Sequence, residues 1–391
     1  MTKKPDVRRF FADNIVVIIF LVLTAAATPV SGLSAGYILQ EIVTRIGRNS
    51  FLVFSLILPV MAGMGLNFGI VLGAMAGEVG LIFAVDWNIV GVNGLVFANL
   101  VGLPIAVFLG WICGEVLNRA KGREMVTGFI LGFFMDGIYQ FVVLYLMGGV
   151  IPMRSAAITL SRGYGIRNTL NLDSVRQSLD NLFMLRLPGL NIPVGTLIVI
   201  VLLCVFIVWF RRTKLGQDMR AIGQDQIVSN ASGIPVERTR IIAIIISTVL
   251  AMVGQIIFLQ NMGNMATYNA HRQTGFFAVA AILVGGASVT KATIPNVFVG
   301  VVLLHLMYIV MPRAGSQLFG SAQIGEYFRD AFSYGAIALA LILHAWRKRR
   351  GVEIDRAGLR RGSGGPGAPV GSTIELTVEP ANGQGTGEVV S

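Results

Sequence analysis

Charge is what this chain of 391 residues has least of: Asp, Glu, Lys and Arg together make up 13% of it. A water-soluble surface needs about a quarter, so a soluble domain is excluded and lipid has to cover most of the chain. Its two cysteines, Cys113 and Cys204, both lie inside apolar runs, which excludes a disulfide framework. Its three histidines (His271, His305 and His344) are scattered, with no Glu or His at metal-ligand spacing, so no metal site is expected. No G-x-S-x-G nucleophile elbow is present. The segment Gly285–Ala292, GGASVTKA, stops short of a phosphate loop. Thr290 stands where the second glycine belongs, and Ala292 lacks the hydroxyl that would hold magnesium. The chain is therefore expected to be no enzyme, to carry no cofactor, and to hydrolyse no ATP by itself.

What is abundant is apolar sequence, 54% of the residues. Runs long enough for membrane spans are Ile15–Ser34, Phe51–Leu66, Phe68–Val85, Gly94–Leu117, Met125–Val150, Val194–Phe210, Ile241–Gln260, Phe276–Val289, Ile294–Met311 and Ala331–Trp346. This predicts an all-α, polytopic membrane helical bundle of about ten transmembrane helices. The first run has no convincing cleavage site and reads as a retained span. Lys and Arg cluster at the ends of the runs: Lys3, Lys4, Arg8 and Arg9, then Arg119, Lys121 and Arg123, then Arg211, Arg212 and Lys214, then Arg347 to Arg350. That pattern orients a membrane protein and accounts for the net charge of +11 without nucleic acid.

Alternation from a basic start puts residues 1–14 and both termini in the cytoplasm, with Arg119–Arg123, Arg211–Arg240 and Lys291. Outside fall Ala35–Ser50, Asp86–Asn93, the long loop Ile151–Pro193, Asn261–Gly275 and Pro312–Arg329. The transmembrane domain spans 15–346. Residues 347–391, rich in Gly, Pro, Ser and Thr, read as a disordered cytoplasmic tail.

Several polar residues are expected at membrane depth: Asn67, Glu78, Asn99, Asp136, Gln140, Gln255 and Gln260. An ionised carboxylate in hydrocarbon costs several kcal/mol, so Glu78 and Asp136 should face a cavity or a partner. Asp136 and Gln140, four residues apart, share one helix face. Two readings stand side by side: the lining of a solute pathway, or hydrogen bonds between helices. Four-residue glycine spacing through Gly65, Gly69, Gly73 and Gly77 reads as close helix packing.

The polar island Arg211–Arg240, between two apolar runs, reads as two short helices. Thr213 and Asp225 serve as N-caps, and Gly223 and Gly233 as stops. Leu215, Met219 and Ile222 give the first an apolar face; Ile227, Val228 and Ala231 do so for the second. Thr213-Lys214-Leu215-Gly216, Arg220-Ala221-Ile222-Gly223, Asp225 and Gly233-Ile234 resemble the cytoplasmic signature of bacterial ABC-importer permeases of the ribose, galactose and branched-chain amino acid type. Asparagine is usual at Asp225 and alanine at Ser229. Gly65-Leu66-Asn67-Phe68-Gly69 resembles an early segment of that family, and Ala281–Ser288 a late one, although Val289-Thr290-Lys291-Ala292 replaces its glycine-rich continuation. The resemblance covers about residues 10 to 350, outside the long loop and the tail.

The resemblance implies a non-catalytic permease subunit of the bacterial inner membrane. It would pair with a second permease subunit, identical or paralogous, with ABC ATP-binding subunits that bind the ATP, and with an extracytoplasmic solute-binding protein. The island would be the coupling helix on the ATPase, through Leu215, Gly216, Met219, Arg220, Ala221, Gly223, Asp225, Ser229 and Gly233. Asn67, Glu78, Asn99, Asp136, Gln140 and Gln255 would border the translocation path. The expected cargo is a small polar solute, a simple sugar or nucleoside first and a branched-chain amino acid next. Two alternatives remain open: a secondary transporter or channel without an ATPase, which would use paired broken helices and an ion-handling carboxylate, and an island that lies on lipid headgroups.

Overall fold

The computed structural model describes residues 14–335, 337–339 and 342. The tail 347–391, most of the N-terminal segment and part of the last expected span lie outside these.

The chain is mostly helical. Helices α1 (Ile15–Val30), α2 (Ala35–Phe54) and the single-turn α3 (Ile57–Met61) are followed by α4 (Ile70–Asp86), α5 (Gly91–Arg119) and α6 (Glu124–Phe141). One wide turn, Val142–Leu146, extends α6. After a folded loop with α7 (Ser178–Leu182) come α8 (Val194–Phe210), α9 (Lys214–Gln224), α10 (Gln226–Ala231), α11 (Val236–Met262), α12 (Ala270–Val284) and α13 (Ile294–Phe319). Residues 322–335 are helical as well. The all-α expectation needs a small correction. Strand β1 (Thr169–Asn171) pairs antiparallel with β4 (Asn264–Ala266), and β2 (Met184–Leu187) pairs with β3 (Leu190–Pro193).

Among the described residues, five helical segments are long and apolar enough to cross a membrane: Ala35–Met61, Gly91–Arg119, Glu124–Leu146, Val236–Met262 and Ile294–Phe319. Counting the bent pair α8 and α9 as one span makes six, fewer than the expected ten. Four of the expected spans account for the difference: α1, α4 and α12 have only 16, 17 and 15 residues, and the last expected span lies partly outside the described residues. Ala35–Ser50, expected as an outer loop, is the first part of α2, where Gln40 donates to the Asn191 carbonyl of β3 and Arg45 pairs with Glu41 one turn away. Helix α12 has 15 residues, a rise of about 22 Å that falls short of a bilayer core of about 30 Å.

Helix α4 is buried nearly all round, against α5 and α11, with which it forms the centre of the bundle. The glycine spacing explains the closeness. A Cβ on Gly73 would lie 2.2 Å from the Thr248 carbonyl oxygen, and one on Gly80 would lie 2.1 Å from that of Ala98. Helices α1, α2, α12 and α13 pack as a second group around a shared apolar core that includes Phe20, Phe54, Ile282 and Leu304. The opposite faces of α5, α6 and α8 leave large side chains uncovered, among them Leu100, Phe108, Ile130, Phe134, Val201 and Trp209. Such belts belong against lipid or another subunit.

Two of the segments that alternation put on one side, Arg119–Arg123 and Arg211–Arg240, share one end. Lys121 pairs with Glu237 at 2.9 Å, Arg240 with Glu124, and Gly223 packs on Met61. At the other end, β1 joins β4 and the Asp86 carboxylate accepts from the Arg154 and Ser155 amides at 2.9 Å.

Candidate functional site

The island folds as two capped helices. The Thr213 hydroxyl accepts from the Gly216 amide at 3.2 Å and starts α9. Asp225 ends α9 and opens α10, its carboxylate accepting from the amides of Ile227 (2.8 Å) and Val228 (3.0 Å). Gly233, at φ +80°, follows α10 in the left-handed conformation that glycine adopts freely. Gly223 differs from its expected role as a stop. It sits inside α9, where a Cβ would lie 2.3 Å from the Met61 carbonyl oxygen, so it permits close approach of the island to α3.

The two helices present different faces. Met219 is buried and Leu215 half-buried against Leu58, Leu117 and Ala243, which anchors α9 to the spans, and Ile222 is buried as well. Gly216 is buried and Ala221 half-buried. The Ser229 hydroxyl donates to the Asp225 carbonyl at 2.7 Å. Gln217 and Arg220 are exposed, and Ile227 and Val228 of α10 are 83% and 60% exposed, an apolar pair left uncovered. Beneath the island, the Arg240 side chain is completely buried. It is paired with Glu124 of α6 and lies 3.5 Å from the Gln226 side-chain oxygen of α10, so that one guanidinium joins three helices.

Four of the polar residues expected at membrane depth come together around a residue the sequence reading passed over. His271, wholly buried near the start of α12, places Nδ1 2.9 Å from Glu78 Oε2 and Nε2 2.7 Å from Asp136 Oδ1. Glu78 Oε1 accepts from Gln255 Nε2 at 2.9 Å, and Gln255 Oε1 accepts from the Thr274 hydroxyl at 2.8 Å. Asp136 Oδ2 accepts from Arg272 at 2.6 Å, while Gln140 Nε2 lies 3.4 Å from Asp136 and from the Tyr268 carbonyl. The Tyr139 ring meets the imidazole edge-on at 4.8 Å, and its hydroxyl donates to the Thr267 carbonyl.

If both carboxylates are ionised they can only accept, and the ring between them then donates from both nitrogens and carries a positive charge. In that state, with Arg272, the four groups balance, as charges withdrawn from water should. The set links α4, α6, α11 and α12. The signal for it was the demand of two membrane-depth carboxylates for cations, which His271-Arg272, just before an apolar run, could meet.

The other predicted positions stand apart. Asn67 Oδ1 accepts from the Gly69 amide at 2.9 Å and holds the unwound turn between α3 and α4. Asn99 donates back to the Leu95 carbonyl of its own helix at 2.8 Å. Gln260 Nε2 donates to Asp180 of α7 at 3.2 Å.

A cavity of about 260 Å³ lies on the other side of α12, bounded also by α2, α11, β4 and α13. Ala270, Gln273, Thr274, Phe277 and Ala278 face it, which is one helical stripe. Its further polar wall is Asn49, Asn264, Asn269 and His305, and Phe258 joins Phe277 in supplying aromatic surface. None of the six predicted path residues lines it. Thr274 belongs to both the cavity wall and the charged set.

A family model described as branched-chain amino acid transport system / permease component matches residues 38–343. The chain is 26% identical over 295 residues to a probable ABC transporter permease protein of Sinorhizobium fredii, covering 74% of this chain and 79% of that one. It is 24% identical over 267 residues to an autoinducer 2 import system permease protein of Photorhabdus luminescens, covering 67% and 69%. To a nucleoside ABC transporter permease protein of Lactococcus lactis it is 24% identical over 191 residues, which span 48% of this chain and only half of that protein. No solved structure matches the chain.

Proposed function

The chain belongs to the family of branched-chain amino acid transport system permease components, ABC-importer permeases of the sugar and branched-chain type, and from that premise we propose that it forms the translocation path of an ATP-driven importer for a small polar solute. Simple sugars and nucleosides come first as cargo and branched-chain amino acids next. The ATP is bound and hydrolysed by a separate subunit, and a solute-binding protein delivers cargo at the end carrying the 151–193 loop. The island faces the cytoplasm.

The observation that carries this reading is the pair Ile227 and Val228, uncovered on a helix whose neighbour α9 is anchored into the spans. Burying two such side chains is worth about 1.5–3 kcal/mol each, and a groove on an ATPase is the surface that would do so. Movement of that ATPase would reach the bundle through α9 on α3 and through Arg240. A ligand can drive the switch between packings only by its differential affinity for them, and nucleotide on the partner supplies it. The four clustered path residues act at the edge of the path, by fixing where α12 begins.

The test is to substitute Ile227→Asp and Val228→Asp together in the native host and purify the tagged chain from membranes. The ATPase should accompany the wild type and be lost from the variant, with uptake lost at an unchanged membrane level of the chain. A wild-type chain that brings no ATPase and still transports would instead be a secondary transporter or channel.

A further inference from the structure

Arg272 is only partly accounted for by its pairing with Asp136. Its side chain is 49% exposed, whereas that of Asp136 is 10% exposed. Asp136 lies midway along Glu124–Leu146, one of the segments long enough to cross a membrane. Half of an arginine at that depth meets a heavy penalty against hydrocarbon, so it faces water. Both side chains open into a hollow of about 40 Å³ between the start of α4, α6 and α12. Three rings wall it. Phe68, Phe129 and Phe276 meet edge to face, with centroids 5.8 Å (Phe68 to Phe129), 6.2 Å (Phe68 to Phe276) and 5.5 Å (Phe129 to Phe276) apart. On α6, Phe129 precedes Asp136 by about 10 Å of helix, toward the end where Glu124 pairs with Arg240 beneath the island. The rings therefore stand on the island side of the charged pair. Phe68 belongs to the unwound turn between α3 and α4, and backbone ties that turn to the island. Gly63, in the same turn at φ +71°, presses on α9: a Cβ there would lie 3.0 Å from Gly223 Cα. A Cβ on Gly128 of α6 would lie 3.4 Å from the Gly69 amide nitrogen, so the turn is seated on α6 as well.

We propose that the solute path of this permease runs through the cleft between α6 and α12, and that Phe68, Phe129 and Phe276 are its barrier on the island side. The proposal rests on the permease reading and says where in the chain the path lies. The hollow has room for a few water molecules and for no larger solute, as a passage has in its closed packing. The three rings sit on three different elements, the turn, α6 and α12, so displacing one of them parts the barrier. The island supplies that displacement. Motion of α9 on the ATPase reaches Gly63 at its contact with Gly223, and Phe68 a few residues on. Packed elements with two discrete arrangements switch in this way rather than deform. The larger cavity across α12 takes no lining residue from α3, α4 or α6, so it lacks this link. Gly132 of α6 also borders the cleft, and a Cβ there would meet nothing within 4 Å, so the position has room for a reporter side chain.

The experiment places Gly132→Cys in the full chain, with Cys113→Ala and Cys204→Ala, in the native host with its importer partners intact. Inside-out and right-side-out membrane vesicles are treated with a charged, water-soluble methanethiosulfonate, which reacts with thiolate and does not cross the bilayer. A second chain carries Ile130→Cys instead, on the uncovered apolar face of α6. In at least one vesicle orientation Gly132→Cys should react roughly tenfold or more faster than Ile130→Cys, because a thiol in hydrocarbon stays protonated. Equal rates overturn the assignment of the path. From the island side, Phe68→Ala should speed the labelling of Gly132→Cys by a similar factor, and Phe129→Ala takes its place where Phe68→Ala lowers the membrane level of the chain. Labelling indifferent to loss of either ring overturns the barrier. ATP with orthovanadate, which arrests an ABC ATPase in turnover, should change the labelling rate when Phe68 is present and leave it unchanged in Phe68→Ala. A rate that ignores nucleotide overturns the link to the island. ATPase co-purification is measured from the same membranes: a chain that brings down no ATPase fails the permease reading, while fast labelling of Gly132→Cys still places water in the cleft.

Discussion

Replacing His271 with leucine tests whether the charged set holds the bundle together. The imidazole is wholly buried, and it bridges Glu78 (2.9 Å) and Asp136 (2.7 Å). Leucine fills comparable space but leaves Glu78 with only the neutral Gln255 and Tyr139 beside it, and Asp136 with Arg272 and the distant Gln140 amide. Removing one member of a buried ion set costs about 3–5 kcal/mol, because the penalty of the uncompensated charge remains. That is a large part of the stability of any domain.

The assay is thermal stability of the full chain in detergent, followed as the monodisperse fraction by size exclusion, together with its level in membranes. His271→Leu should melt well below wild type. Adding Glu78→Gln removes the orphaned charge while keeping an oxygen for Gln255, and should recover a substantial part of the loss. A wholly uncharged set, Glu78→Gln, His271→Leu, Asp136→Asn and Arg272→Leu, should approach wild-type stability, since exchanging a complete buried set for neutral groups is often neutral. A His271→Leu chain as stable as wild type would refute the reasoning. So would a Glu78→Gln substitution that fails to improve the His271→Leu chain.

Gly223→Ala forces a contact with the Met61 carbonyl oxygen to open from 2.3 Å to at least 3.0 Å. Both sides are backbone, so α9 must lift from α3 at a cost of about 1–3 kcal/mol; uptake should fall while the chain still reaches the membrane, and normal uptake would remove Gly223 from the coupling route. Arg240→Met strands Glu124 beneath the island at a cost of about 3–5 kcal/mol. Lys121→Ala breaks the pair with the exposed Glu237 and should leave thermal stability unchanged, as exposed pairs contribute little; equal effects would mean that burial of Arg240 confers nothing. Asp225→Ala removes the acceptor of two amides and should loosen α10 by about 1 kcal/mol, read as faster protease cleavage between α9 and α11.

The island was legible because its signals are local. Thr213, Asp225 and Gly233 act on amides and carbonyls within a few residues, and those roles follow from residue type and spacing alone. Gly223 was misread for the same reason: its role depends on Met61, which is remote in sequence, and no spacing rule reports a close approach between distant backbones. The spans were partly legible. Windows of apolar residues find helices such as α5, which show one face to lipid, but α2 and α12 carry Gln40, Glu41, Arg45, His271 and Arg272, whose polar groups are matched by neighbours. A partnered polar residue costs little, yet it counts in full against a hydropathy window.

The carboxylates show how far sequence reasoning reaches into the site. Glu78 and Asp136 were singled out by their cost in lipid, and that cost is met by a partner rather than by water. The choice between pathway lining and helix joint was not decidable from the chain because it turns on which side of α12 each residue takes. One helix carries both answers: His271 and Arg272 close the charged joint, while Gln273, Phe277 and Ala278 face the cavity. Thr274 stands at the boundary, donating to Gln255 from within the cavity wall. A short helix that begins buried within the protein needs such a joint, because its first amides and its entering backbone must be fixed where lipid offers no partner. Discontinuous helices lie at binding sites in other transporters for the same reason: irregular backbone is tolerated at depth only where it is held by protein or lines a cavity. Here the charged set supplies the first condition and the 260 Å³ cavity the second.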